Sequence, residues 1–270
     1  MRVQRDSGHV VGQRVEIVAG GLRALESRSV LRRRDTRGRL RAVAADLDLL
    51  GIVVAPVPET PMGFIDRACV GASAAGIEPM LVVNKADEPG AQETLAEMRR
   101  TYGDALDVVF VSARTGEGLD ALAALFQPDR RGAFVGTSGV GKSSLANALC
   151  PSLELEVGAI NVQSGLGRHV TTNATLHRLP GGGELVDTPG FRDFGPVEVN
   201  ALELSHGFIA FGDLPGAGDG CRFRDCRHRS EPGCRVLAAL DSGELDAERY
   251  RVYVSLLDEI EEVELRARSR

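Results

Sequence analysis

The chain has 270 residues, 43% hydrophobic and 26% charged, with 32 Gly and 12 Pro, an ordinary globular composition that suits one large domain or two to three small ones. No run approaches about 18 consecutive apolar residues, which argues against a membrane span, and the opening MRVQRDSGHV has no apolar core to act as a secretory signal. Five cysteines without an export signal point to a reducing, cytoplasmic setting rather than a disulfide scaffold.

The net charge of −6 conceals basic ends, with 11 Arg against 4 acids in residues 1–42 and 5 Arg against 2 acids in residues 221–235. Such ends either form a solvated surface or touch a polyanion. The chain has only two lysines, Lys85 and Lys142, and a compact ammonium retained where Arg is the default cation marks a special site.

In chain order, residues 10–18 (VVGQRVEIV) alternate like a half-buried strand, with a turn at Gly20–Gly21. Arg28 to Arg41 is expected to be an exposed basic segment. From residue 47 the texture changes to short apolar runs that end in polar or Gly-rich corners: 47–55, 79–85, 107–112, 132–136 and 183–188. Helix-like stretches lie among them at 62–75, 90–103 and 117–126. Buried strands alternating with helices predict an α/β fold with a mostly parallel sheet covered on both faces. Its ligand belongs at the carboxyl ends of the strands. Beyond about residue 200 a Gly-rich, Cys-bearing segment precedes a long amphipathic helix near 246–266, with Tyr250, Tyr253, Leu256, Leu257, Ile260 and Val263 on one face. The expected organisation is a short basic β segment at 1–42, a nucleotide-binding domain at 43–200 and a metal-binding, mainly helical domain at 201–270.

Gly136-Thr137-Ser138-Gly139-Val140-Gly141-Lys142-Ser143 matches GxxxxGK[ST] between a short strand and a helix that continues through Ser144. Such a loop turns backbone N–H groups onto phosphate oxygens at a helix N-terminus. Lys142 reaches the β- and γ-phosphates, and the Ser143 hydroxyl ligates Mg²⁺.

Beside that loop, Asn84-Lys85-Ala86-Asp87 closes another apolar run. A carboxylate at Asp87 accepts from the N1–H and the amino group of guanine, whereas adenine leaves it unpaired. Ser112-Ala113-Arg114 then offers backbone N–H groups to the guanine carbonyl.

Asp187-Thr-Pro-Gly190 fits DxxG, in which the Asp holds Mg²⁺ through water and the Gly N–H meets the γ-phosphate. Upstream, GRHVTT (167–172) offers Thr171 or Thr172 to complete the Mg²⁺ shell. His169 is a candidate to orient the attacking water, the other reading being a solvated loop histidine. Phe191 follows Gly190 where many GTPases have a water-orienting glutamine, so turnover should be slow. The order NKxD, SAR, phosphate loop, Thr loop, DxxG is that of a circularly permuted GTPase. It joins the γ-phosphate sensor directly to the C-terminal region.

That region contains Cys221, Cys226, His228 and Cys234 within 14 residues. The spacing reads as a Cys₃His structural zinc site, the alternatives being incidental thiols or a redox pair. Cys69 and Cys150 read as small core residues, and His9, His177 and His206 as structural.

The chain resembles the circularly permuted, ribosome small-subunit-dependent GTPases of the RsgA (YjeQ) family. The resemblance rests on VVGQRVEI, NKAD, SARTGEG, GTSGVGKSSLAN, GRHVTT, DTPGF and CRFRDCRHRSEPGC. It implies GTP hydrolysis to GDP coupled to the 30S subunit and its 16S rRNA during late assembly, with Mg²⁺ and one structural Zn²⁺. A cytoplasmic and monomeric protein is expected. The family places an OB-fold before the GTPase domain. Five strands with turns need roughly 60 to 70 residues, so a stretch of about 42 predicts an incomplete barrel or a start further upstream. The alternative function is a nucleotide-gated switch acting on another RNA or a protein. An ATP-dependent kinase fits poorly with NKxD and SAR.

Overall fold

A computed structural model describes residues 8–34, 40–153, 174–187, 199–211 and 220–268. Strands β1 (Val15–Val18) and β2 (Gly21–Ala24) pair antiparallel, as do β3 (Val30–Arg34) and β4 (Leu40–Ala45). These are two separate two-stranded sheets, and no closed barrel exists among the described residues. β1 is mostly exposed, with Ile17 at 85% of its maximum. The expected half-buried alternation therefore fails there, because a two-stranded ribbon offers its side chains no second layer. The segment expected as an exposed basic stretch from Arg28 to Arg41 instead contains β3 and the start of β4, and Leu31 inside it is fully buried. Leu31 and Ala44 join the core under the main sheet, which overrides the surrounding arginines.

The remaining strands are β5 (Leu49–Val54), β6 (Glu78–Val83), β7 (Val108–Phe110), β8 (Arg131–Val135), β9 (Thr175–Arg178) and β10 (Glu184–Asp187). They form one sheet in the order β7-β6-β5-β8-β10-β9, parallel except for the antiparallel edge pair β10–β9. The alternation of side chains splits β5 between two cores. Leu50, Ile52 and Val54 face α1 (Phe64–Ala74) and α2 (Ala91–Tyr102), while Leu49 and Val53 face α3 (Leu119–Leu125) and α4 (Lys142–Leu149). A strand buried on both faces must be apolar at every position, which is why LLGIVV carries no polar residue.

A third core unites α5 (Ala201–Gly207), a 3-10 turn at Ile209–Phe211, α6 (Arg235–Ser242) and α7 (Ala247–Arg268) with Val70 of α1. Tyr253, Leu256, Leu257 and Ile260 of α7 are buried there, whereas Val263, expected on the same face, is exposed. The seam is polar at one point. Arg249 of α7 grips both oxygens of Asp66 in α1 at 2.7 and 2.6 Å, and the Tyr102 hydroxyl of α2 donates to the same carboxylate at 3.1 Å. The guanidinium lies 4.5 Å over the Tyr102 ring. Burial pushes the Asp66 carboxyl above its ordinary pKa, and Arg249 opposes that shift. Removing one partner of such a buried pair costs about 3–5 kcal/mol, so the pair fixes how the C-terminal helix sits on the sheet domain. Among the described residues no helix is long and apolar enough to cross a membrane.

Candidate functional site

The carboxyl ends of β6, β7, β8 and β10 carry NKAD, SAR, the phosphate loop and Asp187, so the sheet order brings dispersed motifs to one rim. The loop Gly136–Val140 leaves β8 and turns into α4 through Gly141, whose φ of +96° is a left-handed conformation. A Cβ on Gly141 would fall 2.3 Å from the Asn84 side-chain nitrogen, so only glycine fits the turn. Val140 is fully buried and anchors the loop. Ser138, Gly139 and Ser143 are exposed, and Gly141, Lys142 and Ser144 are half-buried at the helix start. Lys142 folds back so that Nζ donates to the carbonyls of Gly136 and Thr137, both at 2.8 Å. Among the described residues the buried Thr137 Oγ1 has no hydrogen-bond partner.

Asn84 joins the loops. Its Nδ2 donates to Val140 O at 2.8 Å, and its Oδ1 accepts the Ala113 N–H at 3.2 Å. Lys85 adopts φ +65° and donates to Val57 O at 2.6 Å, while the Ala86 N–H bonds to Val111 O at 3.0 Å. A side-chain-bearing residue in a left-handed conformation stores strain, a feature concentrated at functional sites.

Asp87 receives the Ser112 hydroxyl on Oδ1 and Arg114 on Oδ2, with Arg114 Nε at 2.6 Å. The Ser112 hydroxyl, and then the Arg114 guanidinium, hold the Asp87 carboxyl below its ordinary pKa. Ser112 is fully buried and also accepts the N–H groups of Arg114 at 3.2 Å and Thr115 at 3.1 Å. The backbone donors expected to meet a base carbonyl are thus engaged within the protein: Ser112 N–H by Glu117 O, Arg114 N–H by the Ser112 hydroxyl, and Ala113 N–H by Asn84 on the neighbouring loop. The Arg114 side chain, to which the sequence reading gave no role, sits on the carboxylate.

Asp187 closes β10, paired across the ladder with Thr175. His169, Thr171, Thr172, Gly190 and Phe191 lie outside the described residues.

In the C-terminal region the ligand atoms of Cys221, Cys226, His228 and Cys234 lie within 4.8 Å of one another. Nδ1 of His228 faces Cys234 Sγ at 3.3 Å and Cys221 Sγ at 3.7 Å. Backbone N–H groups of Arg235 and Leu237 point at Cys221 Sγ and Cys234 Sγ at 3.3 and 3.4 Å, contacts that favour thiolates. Burial pushes the Cys226 thiol up to about 12, a cost that a cation bound beside it would offset. The donor set and its closeness fit a four-coordinate zinc site. Glu231 shapes the intervening loop by accepting N–H groups of Arg227, Arg229 and Ser230 at 2.8, 2.8 and 3.0 Å. Tyr250 and Tyr253 of α7 donate to the carbonyls of His228 and Arg227 at 2.7 and 2.8 Å.

The RsgA GTPase family model matches residues 24–196. A small ribosomal subunit biogenesis GTPase RsgA of Pseudomonas fluorescens (strain Pf-5) is 46% identical over 231 residues, covering 83% of this chain and 65% of that relative. The protein of the same name in Azotobacter vinelandii is 44% identical over 267 residues, covering 94% and 76%. The crystal structure of YjeQ from Thermotoga maritima superposes with a TM-score of 0.68 at 33% identity, covering 88% of this chain and 77% of that one. YloQ, a circularly permuted GTPase, shares the fold with a TM-score of 0.67 at 24% identity. The chain spans about two thirds of the length of the first of these relatives.

Proposed function

The chain belongs to the RsgA GTPase family, and from that premise we propose that it binds GTP and hydrolyses it to GDP and phosphate while acting on the 30S ribosomal subunit late in its maturation. The observation that carries the nucleotide reading is the side chain of Asn84, hydrogen-bonded at once to the phosphate loop and to the SAR loop. A base held by Asp87 beside the loops that Asn84 joins is thereby set in register with phosphates held by residues 136–144. Lys142 and the loop N–H groups are preorganised donors for charge on the transferring phosphoryl group, and such positioning accounts for most catalysis of this kind. Exposed Ser143 and the rim carboxylate Asp187 are hard oxygen donors suited to Mg²⁺. When bound, that ion neutralises phosphate charge. Thr171 or Thr172, Gly190 and His169 are assigned to the γ-phosphate side from the sequence.

Lys142→Ala should lower GTP hydrolysis by about 10²- to 10³-fold, the cost of removing one transition-state donor. Unchanged hydrolysis by the purified variant would overturn the assignment of the phosphate loop.

We further propose that the C-terminal cluster holds one structural zinc and that the Arg-rich surface meets 16S rRNA. The guanidinium of Arg222 lies 5.4 Å over the ring of Phe223, which is 40% exposed. A cation beside an open aromatic face is suited to a phosphate backbone and unstacked bases. We also take the chain to act in the cytoplasm, in keeping with the small-subunit assembly role, and as a monomer. Cys226→Ser should lose the metal and unfold the segment 220–235 while leaving nucleotide affinity within about twofold, because structural zinc supplies folding energy locally. Metal analysis that finds equal zinc in both proteins refutes the ligand set.

A further inference from the structure

The base-reading carboxylate is already engaged within the chain. Arg114 approaches Asp87 side-on, so that Nε at 2.6 Å and Nη2 both point at the single oxygen Oδ2. Both nitrogens belong to one edge of the guanidinium and approach Oδ2 from the same side, and with them in place the Asp87 side chain is only 10% exposed. Among the described residues, the Ser112 hydroxyl is the one side chain that donates to Oδ1. Guanine presents N1–H and its amino group as parallel donors, one for each oxygen. Ser112 is fully buried beneath the carboxylate and can stay in place while guanine binds, whereas the exposed Arg114 side chain covers the carboxylate from the solvent side and has to leave.

We propose that the Arg114 side chain competes with guanine for Asp87 and so sets the affinity and association rate for guanine nucleotides, an inference that rests on the nucleotide site described above. The geometry permits the exchange without remodelling the loop. The Arg114 backbone N–H is anchored to the Ser112 hydroxyl at 3.2 Å, so only the side chain has to swing. That side chain is 75% exposed and moves into water. Its hold is weak for the same reason, since exposed guanidinium–carboxylate pairs shift equilibria only by small factors. Arg114 is thus a tuner of affinity, placed beside the residue that chooses the base.

The test is a double-mutant cycle read by nucleotide binding, with GDP and xanthosine diphosphate as probes. Arg114→Ala should bind GDP about two- to fivefold more tightly, with the gain appearing mainly as faster association. In the Asp87→Asn background there is no carboxylate to compete for, so adding Arg114→Ala should leave xanthosine diphosphate affinity unchanged. Weaker or unaltered GDP binding in Arg114→Ala overturns the proposal, as does the same gain in both backgrounds. If Asp87→Asn alone leaves GDP affinity intact, the reading of Asp87 as the base selector falls, and the proposal with it. If Asp87→Asn switches the base but Arg114→Ala gives no gain, only the competition is disproved.

Discussion

Asp87→Asn lowers affinity for GTP and GDP by about 10²- to 10⁴-fold and confers affinity for xanthosine triphosphate. The loss has two parts. The guanine N1–H and amino group lose a charged acceptor, and the new amide sets an N–H against one of those donors. Xanthine carries a carbonyl where guanine carries the amino group, so the same amide N–H finds an acceptor. The loop itself should survive the change. Ser112 can still donate to the amide oxygen, and its bonds to the N–H groups of Arg114 and Thr115 do not involve Asp87. Thermal stability close to that of the unaltered chain, combined with the base switch, is the expected pair of results. Equal GTP affinity in both proteins contradicts the guanine assignment.

The second large effect is on rate. GTP hydrolysis by the chain alone should be slow, and small ribosomal subunits should accelerate it on the order of 10²- to 10⁴-fold, the range available to an oriented general base and a positioned water. An apolar residue, Phe191, follows DTPG and cannot orient water. His169→Ala should abolish most of the acceleration, and full acceleration in that variant makes the histidine a bystander. The acceleration should also be salt-sensitive, because each Arg–phosphate contact releases counterions. About five such contacts weaken binding roughly 10²- to 10³-fold between 50 and 200 mM salt. The Arg count overstates the available charge, since Arg23 pairs with Glu16, and Arg28 pairs with Asp48 at 3.0 Å.

The parallel strands β5, β6, β7, β8 and β10 were legible as short apolar runs that end in motifs whose glycines and polar residues cannot be mistaken for strand, whereas the exposed antiparallel edge strand β9 (TLHR) offers no such run. Motif order alone indicated the permutation. Of the N-terminal hairpins, strand β1 and its turn were legible, but the β3–β4 hairpin was not. Leu31 is one buried residue in a run of arginines, and its burial depends on a core contributed by residues far along the chain. Isolated charges that act as pairs were equally hidden. Asp66 and Arg249 are 183 residues apart, and each alone reads as a polar residue on an amphipathic helix. A buried acid within FIDRACVGASA was the available signal. Asp87 and Arg114 are 27 residues apart in separate motifs, and the side-on contact depends on Ser112 fixing the loop, which spacing does not encode. The Cys₃His cluster was legible because Cys221, Cys226, His228 and Cys234 fall within 14 residues, a spacing that by itself brings four ligand atoms together.

Single-turnover hydrolysis of GTP by the purified chain, with and without small ribosomal subunits, at low and at high salt, tests the central claim most directly. The account predicts slow hydrolysis alone, a rise of orders of magnitude with subunits at low salt, and loss of that rise at high salt. Fast hydrolysis without subunits, or a rate that subunits leave unchanged at low salt, contradicts it.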